Sequence, residues 1–141
     1  MSKSSQAKER LKNNQVKQKR IGNVYWANNN KIDPMDKKTR RQYAIVKDNG
    51  KNVEVAKIRG YNDNEENNER LYLLNQEKYN LDKKCGIDKK IYHQRADNKK
   101  PLKLEDRQVF DNKPSFKLSS HDTHRVIKHT NADNKKRRKK T

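Results

Sequence analysis

Three stretches of the chain have the residue pattern of β-strands, and the first of them shows the two-residue period of a strand. These are NVYWAN at 23–28, YAIVK at 43–47 and NVEVAKIRG at 52–60. All three are rich in β-branched or aromatic residues, which favour extended backbone. Asn49-Gly50 separates the second stretch from the third, and both residue types tolerate a positive φ. The pattern therefore predicts a strand, a polar loop and then an antiparallel hairpin.

Further short strands and a helix are predicted in the second half of the chain. The candidate strands are RLYLL at 70–74, IYHQ at 91–94 and PLKLEDRQVF at 101–110. The helix is predicted within LSSHDTHRVIKH at 118–129, where Ser119 precedes Asp122 by three positions, as in a capping box. Short antiparallel strands followed by a C-terminal helix predict a mainly β protein, built as a small barrel or a partly open sheet.

Composition limits the size of the core and locates the charge. Only 28% of the residues are apolar and the mean hydropathy is −1.58, so the core is expected to be small and central. The formal net charge is +19, of which residues 1–20 contribute +6, residues 131–141 contribute +5 and the body between them +8. We therefore predict a basic disordered arm over 1–20, one folded domain over 21–130 and a basic disordered tail over 131–141.

The positive charge of the body favours a polyanion as partner, and nucleic acid is the first expectation. An acidic membrane surface is less favoured, because the sequence has no large apolar amphipathic face and no lipidation motif. Residues 1–20 lack the apolar region of a secretion signal, and no run approaches the roughly 18 apolar residues of a membrane span. We expect a soluble cytoplasmic protein that does not bind membranes.

Cofactor, metal and thiol chemistry are not expected. The four glycines are scattered and form no phosphate-binding loop. His121 and His124 lie three positions apart on the predicted helix, but no Cys or carboxylate pair completes a metal-ligand set at suitable spacing. Cys85 is the single cysteine, which excludes an intrachain disulfide, and no nucleophile signature surrounds it.

Two adjacent arginines, Arg40 and Arg41, stand at the start of the second predicted strand, and Asp36 lies five positions before Arg41. Cleavage of RNA without a metal needs a base for the 2′-hydroxyl, a cation on the phosphorane oxygens and an acid for the leaving 5′-oxygen. A guanidinium on a rigid strand end and a carboxylate beside it fit the cation and the base. The alternative is that the arginines are solvated, or pair with the loop acid for structural reasons.

Several segments, in the same order, resemble the MazF/PemK family of toxin endoribonucleases. Members of that family have a Gly-Asp-aromatic-Trp strand, a long loop and an Arg-Pro start to an apolar strand; here GNVYW and RRQYAIV take those places. Trp26 and Arg41 are 15 positions apart, a spacing similar to that of the family. The strand VEVAKIRG and the closing KLSSHDTHRVIKH are also similar. The resemblance covers roughly residues 21–60 and 117–129.

The chain departs from the family pattern at three positions. Asn23 replaces the usual Asp, Gln42 replaces the Pro after the arginine, and Arg59 replaces the Thr or Ser that contacts the scissile phosphate. Arg59 can still bind phosphate, but it cannot supply the hydroxyl that family members use in catalysis. Two segments compete for the later Asp-Gln strand of the family: YHQR at 92–95 and LEDRQVFDNK at 104–113. The second is preferred because it is closer to the helix.

The resemblance implies an SH3-like small barrel of the MazF/CcdB type, usually a homodimer, that binds single-stranded RNA in a groove and cuts it without metal. Arg41 would be the catalytic cation and Asp36 the candidate base. RNA binding is assigned to Trp26, Lys37, Lys38, Arg40, Lys57 and Arg59. The resemblance also implies a cognate antitoxin whose acidic disordered segment occupies the basic groove.

Two other functions stay open on the sequence. A non-catalytic RNA- or DNA-binding small-barrel protein, such as one from a mobile element, would use the same groove without cutting. A structural partner of the ribosome or of another nucleoprotein complex would also suit a small basic barrel with charged ends. The basic arm and tail favour binding to nucleic acid under every one of these hypotheses, so they do not discriminate between them.

Overall fold

The structure is a computed structural model that describes residues 20–61 and 69–139, with side chains as far as residue 131. A 3-10 helix covers Asn29–Lys31 and the α-helix α1 covers Ser120–Lys139. The strands are β1 (Asn23–Asn28), β2 (Arg40–Asp48), β3 (Val53–Gly60), β4 (Leu71–Leu73), β5 (Cys85–Tyr92) and β6 (Phe116–Lys117).

The six strands form one sheet in the order β4-β5-β3-β2-β1-β6, and every pair of neighbours is antiparallel. The sheet curls into a half-barrel, and α1 follows it at the end of the chain. The prediction of a mainly β protein with a C-terminal helix is confirmed. That the half-barrel is an SH3-like barrel of the MazF/CcdB type stays a prediction.

The β2–β3 hairpin lies at the centre of the sheet and confirms the clearest local prediction. Asp48 pairs with Val53, and Gly50 in the turn has a φ of +93°. The Gly50 N–H donates a 2.8 Å hydrogen bond to the Asp48 carboxylate. Asn49 does not adopt a positive φ; its side-chain oxygen instead accepts a 2.7 Å hydrogen bond from the backbone N–H of Asn52. Side-chain capping by Asp and Asn therefore closes the turn.

The predictions for the second half of the chain hold only in part. RLYLL is a strand over Leu71–Leu73, but IYHQ overlaps only the end of β5, which begins at Cys85. The start of β5, CGIDKK, has no regular alternation; pairing with β3 on one side and β4 on the other makes it a strand. PLKLEDRQVF was predicted as a strand and forms none; it is a series of turns with four buried apolar residues: Leu102, Leu104, Val109 and Phe110.

Neither of the two candidate segments for the Asp-Gln strand forms a complete strand. The preferred segment, LEDRQVFDNK, lies in these turns and has only an isolated bridge, between Phe110 and Ala27. YHQR contributes Tyr92 to the end of β5 and has an isolated bridge between Gln94 and Pro101. The preferred segment, LEDRQVFDNK, is anchored to the sheet by its own apolar residues. Backbone hydrogen bonds within its turns take the place of hydrogen bonds to a neighbouring strand.

Alternation along the strands gives the sheet a core on each face. Tyr25 and Tyr43 point to one face, which is covered by the turns over 93–113. Val24 and Ala44, one position away, point to the other face, where Val126 of α1 packs. This division explains how a chain so poor in apolar residues encloses two small clusters: the sheet serves both of them.

Asp122 ties α1 to the sheet. The Ser119 side chain accepts a 3.2 Å hydrogen bond from the Asp122 N–H, which confirms Ser119 as the helix cap. The Asp122 carboxylate accepts hydrogen bonds from the hydroxyls of Tyr72 (2.8 Å) and Tyr79 and from the Lys78 ammonium (3.1 Å). These donors come from β4 and from the segment that follows it, so the first turn of α1 is fixed against them.

Asp122→Asn is expected to make the acid unfolding curve shallower. Burial raises the pKa of Asp122, but hydrogen bonds from Tyr79, Tyr72 and Lys78 outweigh burial and lower it to about 2. A pKa lowered by folding stabilises the protein above the unfolded pKa, and the effect, about 2 kcal/mol, is lost as pH falls through roughly 4 to 2. Urea unfolding at pH 2 to 7 checks this. Equal losses of free energy of unfolding in both proteins over that range would contradict it.

The two ends of the chain differ in what can be described. The predicted basic arm lies outside the described residues except for Arg20. At the other end α1 continues to Lys139, so the backbone of the basic tail is helical that far, whereas the sequence predicted disorder from residue 131. Lys and Arg have high helix propensity, which favours a helical backbone in this segment. The division into arm, domain and tail stays a prediction.

Candidate nucleic-acid interface

A groove of about 520 Å³ lies beside the beginning of β2 and the end of β3. Its lining combines five cationic side chains with three aromatic ones and one exposed carboxylate, that of Asp82. The cationic residues are Lys38, Arg40, Arg41, Arg59 and Lys83, and the aromatic residues are Trp26, Tyr79 and Phe116. Cations interleaved with aromatic rings are suited to the phosphates and bases of a single strand.

Arg41 has the most fixed geometry among these cations. Its Nε donates to Asp36 Oδ2 at 2.9 Å and its Nη2 donates to Asp36 Oδ1 at 3.2 Å, a bidentate pair. The Arg41 side chain keeps 21% of its surface exposed. No other described residue is hydrogen-bonded to its Nη1. The sequence placed a carboxylate beside this arginine, and the structure confirms that they are neighbours.

Asp36 has donors on both carboxylate oxygens. Its Oδ2 accepts from Arg41 and, at 2.7 Å, from the Lys57 ammonium; its Oδ1 accepts from Arg41 and, at 3.1 Å, from the Lys38 N–H. Burial alone would raise the pKa of Asp36, but the bonds from Arg41, Lys57 and Lys38 hold it well below its usual range. An ionised carboxylate with so low a pKa is a weak proton acceptor. The geometry suits Asp36 better to orienting Arg41.

Lys57 is almost completely buried, beside Asp36. Its side chain is only 5% exposed, and its ammonium lies 2.7 Å from Asp33 Oδ2 as well as from Asp36. The same ammonium lies 5.5 Å from the ring centroid of Tyr92, whose hydroxyl donates to Asp33 at 3.0 Å. A side chain this buried and this fully paired offers little surface to RNA. The contact between Lys57 and RNA stays a prediction.

Arg59 joins the groove to a second pocket. That pocket has a volume of about 330 Å³ and shares Arg41 and Arg59 with the groove. The Arg59 Nε is bonded to Asp88 at 3.0 Å, and Arg70 approaches the same carboxylate at 3.4 Å. Arg59, which the resemblance to the MazF/PemK family sets at the position of a hydroxyl residue, is therefore a guanidinium fixed by an acid on β5.

Arg40 and Trp26 form the outer wall of the groove. Register pairs Asn28 with Arg40 and Ala27 with Arg41, so the arginine pair lies beside the end of β1. The Arg40 guanidinium is 2.8 Å from Asp111 and 5.9 Å from the ring centroid of Trp26. Trp26 is 40% exposed, which leaves one side of a large ring available to a partner.

The remaining predicted residues are split between the groove and its surroundings. Lys38 lines the groove, whereas Lys37 is exposed and lines neither pocket. Three residues of the groove were not predicted from the sequence, because they come from segments far from Arg41 and have no local pattern: Lys83, Tyr79 and Phe116. Two weak candidates for chemistry, His121 and His124, are exposed on α1.

Two further residues of the groove, Gln42 and Cys85, have structural roles. Gln42, which stands where the family has a proline, donates from Nε2 to the Ser115 hydroxyl at 2.8 Å and so connects β2 to the segment before β6. Cys85 lines the groove but is buried, and burial raises the pKa of its thiol. A thiol with a raised pKa is a poor nucleophile at neutral pH.

Within the described ranges, no cluster of three or more His, Cys, Asp or Glu side chains is placed to bind a metal ion. None of the helices in that part of the chain has the length and apolar character needed to cross a membrane. Comparisons with protein-family models, with curated proteins and with solved structures each found no match to this chain. The resemblance to the MazF/PemK family, the homodimer and the antitoxin therefore stay predictions.

Proposed function

We propose that the chain binds single-stranded RNA along the basic groove and that Arg41 contacts the phosphate at which the strand is cut. The observation behind this proposal is the Arg41 guanidinium, which Asp36 fixes through two N–H groups while its Nη1 stays free of described partners. A guanidinium held in this way presents donors to phosphate oxygens without further loss of side-chain freedom.

Binding to a single strand is supported by the wall that Trp26 and Arg40 form. An exposed indole offers a surface for stacking with any base, and neighbouring cations attract the phosphates on either side. The half-exposed pair between Arg40 and Asp111 costs little to break, because solvent screens it. A phosphate can therefore replace Asp111 as the partner of Arg40.

The proposed reaction is an attack of the 2′-hydroxyl on the adjacent phosphorus. The hydroxyl proton passes to solvent water as the 2′-oxygen bonds to phosphorus. The bond to the 5′-oxygen breaks and this oxygen takes up a proton from solvent, which gives a 2′,3′-cyclic phosphate and a 5′-hydroxyl. Arg41 would stabilise the extra negative charge on the phosphorane oxygens, and Arg59 lies in the same groove for a second contact. In this proposal Asp36, the predicted base, orients Arg41 instead of taking the proton.

Trp26→Ala is expected to weaken the binding of a short labelled single-stranded RNA roughly tenfold, because stacking contributes about 1–3 kcal/mol per base. Leu73→Ala is the control, since Leu73 is a similarly exposed apolar side chain on β4. With several phosphates contacted, log Kd is expected to change with log salt by about 0.7 per contact. Equal loss in both variants, or equal affinity for a duplex of the same length, would argue against the proposed groove.

A non-catalytic RNA- or DNA-binding protein is the second candidate function. The low pKa of Asp36 favours it, because the carboxylate nearest Arg41 is a weak base. Incubation of a long single-stranded RNA with the protein in EDTA distinguishes the two. New ends at a restricted set of sequences would support cleavage. Intact RNA that shifts on a native gel would support binding without cleavage.

A further inference from the structure

We propose that Lys57 is a positioning residue for Arg41 and acts through Asp36, not through contact with RNA. The inference rests on the proposed function, because it takes Arg41 to be the residue that contacts phosphate. It assigns Lys57, which is buried, together with the part-buried Asp33 to a group that keeps the Asp36 carboxylate in place. Their side chains lie beneath the site, between the loop after β1 and the strands β2, β3 and β5.

The first step is the sharing of one carboxylate oxygen. Asp36 Oδ2 accepts from the Lys57 ammonium at 2.7 Å and from the Arg41 Nε at 2.9 Å. Any displacement of the carboxylate that lengthens the bond to one cation changes the bond to the other. The orientation of the Arg41 guanidinium is therefore coupled to the position of Lys57, although the two cations share no bond.

The second step is that Lys57 is itself held on several sides. Lys57 pairs with Tyr43 between β3 and β2, and this pairing fixes the Lys57 backbone. Its ammonium also bonds to Asp33 at 2.7 Å and lies near the Tyr92 ring. Asp33 in turn accepts a hydrogen bond from the Tyr92 hydroxyl at 3.0 Å. The cation is thus part of the rigid sheet, and Asp36 is the loop residue that it anchors.

The third step concerns the loop that carries Asp36. Buried Asn29 accepts a hydrogen bond from the Tyr43 hydroxyl and donates to the Lys38 carbonyl at 3.0 Å. The Lys38 N–H then bonds to Asp36 at 3.1 Å. These bonds fix the backbone that follows Asp36. The Asp36 carboxylate is held by the Lys38 N–H and by two cations, Lys57 and Arg41. Lys57 is the one of these two cations that is shielded from a ligand, with 5% of its side chain exposed.

Charge balance is a competing explanation that the test must separate. Arg41 and Lys57 offset Asp33 and Asp36, so removal of Lys57 alone also leaves one uncompensated carboxylate near the phosphate site. The double variant D33N/K57M removes one charge of each sign and restores the balance, yet it still lacks the cation that holds Asp36. A positioning role predicts that the double variant stays impaired.

The test has two readouts. In the NMR spectrum of the full chain without RNA, exchange of the Arg41 Nε–H with solvent is expected to be roughly tenfold faster in Lys57→Met and in D33N/K57M, because the loss of one charged hydrogen bond frees Asp36. Lys47→Met is the control, as it removes an exposed lysine that pairs with Glu54 at the far end of β2. Should Lys57→Met fail to fold, Lys57→Gln keeps an N–H₂ donor at the position.

The second readout is a double-mutant cycle on RNA affinity. Lys57→Met is expected to weaken binding roughly fivefold in the parent and not at all in an Arg41→Ala background. The same fold-change in both backgrounds would mean that Lys57 acts independently of Arg41 and would overturn the inference, as would unchanged Nε–H exchange. If the parent does not bind RNA, the proposed function fails, but the exchange measurement still tests the positioning role.

Discussion

Arg41→Ala is expected to reduce metal-independent cleavage of single-stranded RNA by about 10²–10³-fold. Among the groove cations, Arg41 is the one that the described residues bind through two N–H groups to a single carboxylate. Charge stabilisation by a preoriented donor is often the largest contribution to such a reaction. Mapping of new RNA ends over time in EDTA measures the effect. RNA affinity in the same variant is expected to fall much less, since Arg40, Arg59 and Lys38 remain.

Two further variants make this measurement specific. Arg41→Lys keeps the charge but loses the planar fork that Asp36 binds, so only partial activity is expected. Arg125→Ala removes an exposed arginine from α1, outside the groove, and is expected to cut at the parent rate. Cleavage that survives in Arg41→Ala would place the chemistry elsewhere in the chain. If the parent protein does not cut RNA, the cleavage proposal fails and binding without cleavage is the function that stays open.

Asp36→Ala is expected to lower the free energy of unfolding by about 3 kcal/mol or more, because it leaves a buried cation without one of its two carboxylates. The Asp36 side chain is 10% exposed and that of Lys57 is 5% exposed, so water offsets the lost partner only in part. Urea unfolding at neutral pH measures the change. The low pKa of Asp36 means that the carboxylate is ionised, and so fully bonded, at that pH.

The matched control for this variant is Asp111→Ala. Asp111 also pairs with an arginine of β2, at 2.8 Å from Arg40, but both side chains are about half exposed. Solvent-exposed pairs contribute less than about 1 kcal/mol, so this substitution should change stability little. Similar losses in Asp36→Ala and Asp111→Ala would show that burial of the Lys57 pair is not what makes Asp36 important to the fold.

The half of the fold that could be predicted from the sequence is the part with local signals. β1, β2 and β3 are rich in β-branched and aromatic residues. Asp48 and Gly50 close the turn between β2 and β3 through a hydrogen bond between residues two positions apart. The cap of α1 is equally local, because Ser119 and Asp122 lie one helical turn apart. In each of these cases the residues that cause the structure lie within a few positions of it.

The rest depends on partners that are distant in the sequence. The first part of β5 is a strand because β3 and β4 lie on either side of it, and its own residues give no period. The apolar residues over 101–110 are spaced as in a strand, which is why the sequence predicts one there. In the structure these residues are buried because their turns cover the sheet, not because they join it. Apolar spacing by itself does not distinguish these two forms of burial.

The candidate site divides in the same way. Arg41 and Asp36 are five positions apart on a strand and its preceding loop, so their contact was predictable. The burial of Lys57 was not, because its partners Asp33 and Asp36 precede it by more than 20 residues. A lysine in a basic chain is expected at the surface. The pairing shows instead that this one belongs to the interior of the fold.

The outermost strands have a consequence for how the protein behaves at high concentration. β6 has two residues and β4 has three, whereas the central strands β2 and β3 have nine and eight. Short border strands offer few unpaired backbone groups on which another copy could extend the sheet. The fold can therefore expose an indole at its surface and still resist self-association into fibrils. Mutual repulsion between copies with a net charge of +19 acts in the same direction.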